Sequence, residues 1–98
     1  MSAPTREHGR AARPAILIVD DHSVLRRGLT ALIESDPDLG VCAQAASRRD
    51  ALEAIRNSCP GLVIVDLALG DDDGLELVKE IKTRHPQIAS LVFSMHDE

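Results

Sequence analysis

Ala15–Asp20 (AILIVD) is an unbroken apolar run that ends in acid. It is short, β-branched and preceded by Pro14, which predicts a buried strand. From Ser23 to Ser35 the apolar residues Leu25, Leu29, Leu32 and Ile33 recur at three and four, one face of a helix. Asp36-Pro37-Asp38 ends it, because the residue before a proline leaves the helical region. Val41–Ala45 predicts a short, weakly apolar strand. Ser47, with Asp50 three residues on, predicts a capped helix start, and that helix carries Ala51, Leu52 and Ile55 until Pro60-Gly61.

Leu62–Asp66 (LVIVD) is a second apolar strand ending in acid. A loop of Gly70 and Asp71–Asp73 leads to a third helix with a Leu77, Val78, Ile81 stripe, closed by Pro86. Asp73 and Glu76 have capping-box spacing. Ile88–Ser94 (IASLVFS) predicts a fourth strand. Strands alternating with helices predict a mostly parallel α/β sheet with helices on both faces and right-handed crossovers. The first and third strands belong at its centre and the weak second strand at an edge.

The chain has 98 residues, enough for one small domain. Residues 1–13 are polar and basic without an apolar centre, so they read as a disordered tail rather than a secretory signal, and 14–98 as the domain. Phe93 is the lone aromatic residue, so the core must be aliphatic. A net charge of −5 argues against nucleic-acid or anionic-membrane binding. The Arg26-Arg27 and Arg48-Arg49 pairs fall on separate helices, and a solvated role is expected for them. Cys42 and Cys59 lack metal-site spacing and read as small buried or half-buried thiols in a reducing compartment. No apolar run approaches membrane-spanning length, so the expected location is the cytoplasm.

In an open parallel sheet, ligands bind beyond the carboxyl ends of the strands, where strand order reverses. Asp20 and Asp21 end the first strand, Asp66 the third and Ser94 the fourth. If the first and third strands are neighbours, three carboxylates converge. A hard divalent cation such as Mg²⁺ would offset their repulsion. A carboxylate beside Mg²⁺ can attack phosphorus and form an acyl phosphate, and the Ser94 hydroxyl could bond one phosphoryl oxygen. One aspartate at a strand end is usually a turn or cap residue. Two acid-ended strands, one with a doubled acid, is a stronger pattern. Asp71–Asp73 reads as a solvated loop, and His22 as a flank of the acidic pair.

Three stretches, ILIVDDHSVLRRGLTALIE (Ile16–Glu34), LVIVDLALGDDDGLELVKEIK (Leu62–Lys82) and SLVFS (Ser90–Ser94), resemble the receiver domain of bacterial two-component response regulators. The DDH start and the DGLEL stretch resemble receivers of LuxR-type helix-turn-helix regulators. The resemblance implies a flavodoxin-like, CheY-like sheet of order 2-1-3-4. It implies Asp66 as phosphoacceptor, and Asp20, Asp21, Asp66 and the Ala68 carbonyl as Mg²⁺ ligands. Ser94 becomes the hydroxyl that follows the phosphoryl group, and the donor a sensor histidine kinase or a small acyl phosphate.

Gly70 stands where the family usually has proline. The family's fourth helix, its fifth strand with a lysine and a switch aromatic, and its fifth helix have no counterpart here, so the sequence reads as a receiver truncated after the fourth strand. That leaves Ile88–Phe93 as an apolar edge, from which a dimer or larger assembly is expected. The function implied is phosphoacceptor signalling, governing transcription through an output domain, with no catalysis beyond the domain's own phosphorylation and dephosphorylation. The competing readings are a degenerate receiver acting only as a dimerisation module, and a dehalogenase-type phosphatase. The second is disfavoured by Ala68, where that enzyme class has a second aspartate.

Overall fold

A computed structural model describes residues 15–69 and 74–94. Residues 1–14, 70–73 and 95–98 lie outside that description. The predicted tail, the Gly70 loop and the Asp73–Glu76 cap fall on them wholly or in part.

The element order is β1 (Ala15–Val19), α1 (Ser23–Glu34), β2 (Gly40–Ala45), α2 (Arg48–Ser58), β3 (Leu62–Asp66), α3 (Gly74–Arg84) and β4 (Ala89–Phe93). The four strands form one parallel sheet in the order β2-β1-β3-β4. Strand boundaries differ from the sequence reading by one residue at the end of β1, at the start of β2 and at both ends of β4.

Ile16, Leu17, Ile18 and Val19 are all buried, as a central strand requires. Leu17 and Val19, with Val63 and Val65 of β3, pack against Ala51 and Ile55 of α2 and Leu77, Val78 and Ile81 of α3. Alternation sends Ile16 and Ile18 to the opposite face, where α1 lies. Ser47 caps α2 by accepting the Asp50 N–H at 3.1 Å. That helix ends at Ser58, directly ahead of Pro60-Gly61, with Cys59 as its C-cap. Cys59 takes the left-handed conformation (φ 48°, ψ 60°) and donates its N–H to the Ile55 carbonyl.

Three sequence expectations need correction. Leu32 does not face the sheet; it is 69% exposed. Arg26 and Thr30 instead share the half-buried side of α1 with Leu25, Leu29 and Ile33. The reason is that Arg26 is tied to β1 through the Asp20 carbonyl, and Glu34 to β2 through the Val41 N–H. The same contact overturns the solvated role expected for Arg26. Arg48 also has a partner, Glu80, across the α2–α3 gap.

Cys42 and Cys59 are exposed rather than buried. Cys42 is the extra residue of a bulge in the edge strand β2, since Val41 and Ala43 pair with the consecutive residues Ile16 and Leu17. The thiol of Cys42 is nonetheless partly desolvated, which pushes its pKa up. Cys59 sits at the outer turn after α2.

Candidate functional site

The pairing of β1 with β3 matches Val19 to Val65, so Asp20 and Asp66 follow at one level at the carboxyl end of the sheet. To one side of β1 lies β2 and to the other β3, so this end is the point where strand order reverses. Both aspartates are buried, Asp20 at 0% and Asp66 at 1% exposure.

The backbone fixes them from several directions. The Asp20 N–H donates to the Ala45 carbonyl of β2 at 3.0 Å. The Asp20 carbonyl accepts from Arg26 Nη1 at 2.6 Å. Beyond β3, the Leu67 N–H donates to the Phe93 carbonyl at 2.8 Å, and the Ala68 N–H donates to Asp66 Oδ1 at 3.0 Å. The turn that carries the Ala68 carbonyl is therefore anchored to the Asp66 side chain itself. Ser94 directly follows Phe93, the residue level with Asp66 in β4.

One ligand atom each from Asp20, Asp21, His22 and Asp66 fall within 4.8 Å of one another. The sequence reading brought together the three aspartates. It treated His22 as a flank, whereas His22 Nδ1 lies 3.0 Å from Asp20 Oδ1 and 3.0 Å from Asp21 Oδ1. The spacing alone held no signal for this, because the direction of an imidazole at a helix start is not written in the sequence.

Electrostatically the cluster is strained. Burial pushes the Asp66 carboxyl above the usual aspartate range, and the neighbouring Asp20 and Asp21 push the same way against the Ala68 N–H bond. His22 is held above the usual histidine value by its bond to Asp20 and by the charges of Asp21 and Asp20. Asp20 Oδ2 is buried with no hydrogen-bond partner among the described residues. A buried carboxylate oxygen left unpaired is costly unless a cation faces it. The donor set of carboxylate oxygens, with a carbonyl two residues past Asp66, is the kind that hard divalent cations take.

Comparison with known proteins places this geometry in context. The model of the response regulator receiver domain matches residues 16–98. The DNA-binding transcriptional activator DevR/DosR of Mycobacterium tuberculosis is 33% identical over 81 residues, covering 83% of this chain and 37% of that protein. A protein-glutamate methylesterase/protein-glutamine glutaminase of Rhizobium etli is 34% identical over 95 residues, covering 97% of this chain and 25% of that protein. A LuxR-family two-component response regulator from Aurantimonas sp. superposes with a TM-score of 0.79 at 34% identity, over 86% of this chain and 60% of that one. The chain thus spans well under half the length of these two curated relatives, one a transcription factor and the other an enzyme. No helix among the described residues is long and apolar enough to cross a membrane.

Proposed function

The chain belongs to the family of response regulator receiver domains, and we propose that its Asp66 accepts a phosphoryl group with Mg²⁺ held by Asp20, Asp21, Asp66 and the Ala68 carbonyl. The observation that carries this reading is the convergence of three carboxylates at the strand-order reversal, with a buried Asp20 oxygen that has no hydrogen-bond partner among the described residues.

Bound there, Mg²⁺ supplies charge neutralisation for the carboxylates and the incoming phosphoryl oxygens. The protein's own part is positioning. Asp66 Oδ1 is engaged by the Ala68 N–H, which leaves the second oxygen to attack phosphorus. As that O–P bond forms, the bond from phosphorus to the donor breaks: to nitrogen in a phosphohistidine, to oxygen in an acyl phosphate. The leaving group takes the electron pair. Attack needs the ionised carboxylate, and the upward pKa of Asp66 opposes this until a cation is present. Ser94, one residue beyond the level of Asp66, supplies a hydroxyl for a phosphoryl oxygen.

Receivers of this family take the group from histidine kinases, and a sensor kinase is the donor assigned here. The cytoplasm is the compartment that fits. Control of transcription through an output domain is the role we assign, supported by relatives such as the transcriptional activator DevR/DosR and the LuxR-family regulator. The domain's chemistry is confined to its own phosphorylation and dephosphorylation. Among the described residues β4 has a neighbour on one side only, and it exposes Leu91 at 55% and Val92 at 39%. That edge supports self-association.

Incubation with Mg²⁺ and a small acyl phosphate, followed by intact-mass measurement, tests the reading. One added phosphoryl group on the wild type and none on Asp66→Ala is the expected result. An unmodified wild type would leave the interaction-only reading. Sedimentation at rising concentration tests the edge, and a monomer throughout would remove it.

A further inference from the structure

The amino end of the sheet, opposite the aspartate cluster, holds a cavity of about 390 Å³ between the turn that follows α2 and the turn that follows α3. Its floor is apolar: Ile55 is 2% exposed and Ile88 6%, and Pro60 is buried with them. Its rim is polar, with the exposed Arg56 and Cys59 on the α2 side and the half-buried His85 on the other. Backbone hydrogen bonds fix both walls. Gly61, which follows Pro60, donates its N–H to the Ala15 carbonyl at 2.9 Å and accepts from the Ala89 N–H at 3.1 Å, so this turn is tied to β1 and β4 at once. On the other wall the His85 N–H donates to the Ile81 carbonyl at 2.7 Å, and the Ile88 N–H to the His85 carbonyl at 3.0 Å. The cavity is thus formed before a ligand arrives, and little ordering opposes binding.

Charge decides the kind of ligand. Helices α2 and α3 both end here, and a helix carboxyl end carries roughly half a negative charge. Three cations stand in these last turns, Arg56 in α2 and Lys82 and Arg84 in α3. Arg84 lies 3.6 Å from Glu80, so its charge is answered there. Arg56 and Lys82 still exceed the two helix ends by about one charge. A guanidinium matches a carboxylate with two parallel N–H donors, and the His85 ring offers one N–H even when neutral. We propose that this cavity binds a short-chain carboxylate, its chain against Ile55 and Ile88 and its carboxylate held by Arg56 and His85. The volume lies near the lower end of the range for small-molecule sites, about 300–1,000 Å³, which keeps the chain short. A chain seated there covers the Cys59 thiol, whereas Cys42, exposed on the edge strand β2, lies outside the lining.

The test titrates the full chain and Arg56→Gln with hexanoate, butanoate and hexanamide, followed by methyl NMR. The rates at which iodoacetamide alkylates Cys59 and Cys42 are measured alongside. Arg56 is exposed, so its replacement leaves the core untouched. The expected result with hexanoate is a saturable shift of the Ile55 and Ile88 methyls. Butanoate, two methylenes shorter, should bind about tenfold more weakly. Hexanamide, with the chain kept and the charge removed, should lose about tenfold as well. Arg56→Gln should weaken hexanoate by a similar factor and leave hexanamide unchanged. Saturating hexanoate should slow alkylation of Cys59 and leave Cys42 unaffected. Equal affinity for hexanoate and hexanamide, or no effect of Arg56→Gln on hexanoate, overturns the proposal. So do shifts at Leu91 and Val92 in place of Ile55 and Ile88, which would mean general adsorption to the exposed apolar edge. Absence of any shift at about 10 mM hexanoate, where even a millimolar site would be mostly filled, overturns it too.

Discussion

Gly74, the first residue of α3, lies against the Asp66 main-chain carbonyl so closely that a Cβ at position 74 would collide with it and with Leu67. Its N–H also donates to the Leu67 carbonyl at 3.3 Å. The obstacle is backbone, which cannot swing aside as a flexible side chain would. Gly74→Ala therefore must push α3 away from the end of β3 or displace the strand end that carries Asp66. The expected cost is about 2 kcal/mol in denaturant unfolding, the range for overpacking a close contact. Phosphorylation should slow beyond what the lost stability explains. A variant as stable as wild type would show that the contact is looser than described.

Asp66→Asn should stabilise the metal-free protein at neutral pH. The folded-state pKa of Asp66 is raised. Its contribution to stability is thus fully present below the unfolded value, about 3.9, and is lost as pH rises through the folded value. The asparagine variant escapes that loss. Its advantage over wild type should be small in acid, grow through that window and level off above it. A gain of about 1 kcal/mol is typical when a functional strain is relieved, or a few degrees in melting temperature. Mg²⁺ should reverse the order, raising the wild-type midpoint with ion concentration and the variant's much less. Thermal melts across pH, with and without Mg²⁺, check both halves.

How much of this could be read beforehand depends on the physical source of each feature. The β-α alternation, the strand order and the meeting of Asp20, Asp21 and Asp66 follow from apolar runs that end in acid, and these are visible as letters. Ser47 with Asp50 was legible for the same reason, since a cap is a local pattern. The roll of α1 was not. Leu32 and Arg26 border the same helical stripe, and periodicity alone favours the leucine. A hydrogen bond from Arg26 to a carbonyl six residues away decides it the other way. The exposure of Cys42 depends on a bulge, which sequence composition does not mark. His22 and Gly74 matter because of direction and closeness in space, and neither has a spacing signature.

Arg26 joins α1 to the end of β1. Its Nη1 donates to the Asp20 carbonyl at 2.6 Å from a partly buried position. Replacing it with Met keeps most of the aliphatic stem and removes the donor. The expected loss is about 2 kcal/mol, the range for a hydrogen bond to a charged group. Arg26→Lys should recover only part of it, because an ammonium lacks the planar reach of the guanidinium. Because the bond holds the backbone of Asp20 itself, Mg²⁺ affinity should fall in Arg26→Met. Unchanged metal affinity with reduced stability would limit Arg26 to a structural role.

Arg48 and Glu80 link α2 to α3 on the helical face, away from the aspartate cluster. Arg48 Nη2 and Nε donate to Glu80 Oε1 at 2.6 and 3.2 Å, and Arg84 stands 3.6 Å from the other oxygen. The Arg48 hydrogen bond holds the Glu80 carboxyl below its ordinary pKa. For a depressed carboxyl, the stabilisation is present above the unfolded value and is lost as pH falls through the folded one. The pair should therefore contribute fully at neutral pH and vanish in acid below the ordinary glutamate range. Since Arg48 is 43% exposed, solvent and salt screen the interaction. A double-mutant cycle with Arg48→Ala and Glu80→Ala should give a coupling of about 0.5 kcal/mol at neutral pH, weaker at high salt. The same cycle repeated in acid should give no coupling. A coupling that persists there would mean that the two side chains interact through their apolar stems rather than through charge.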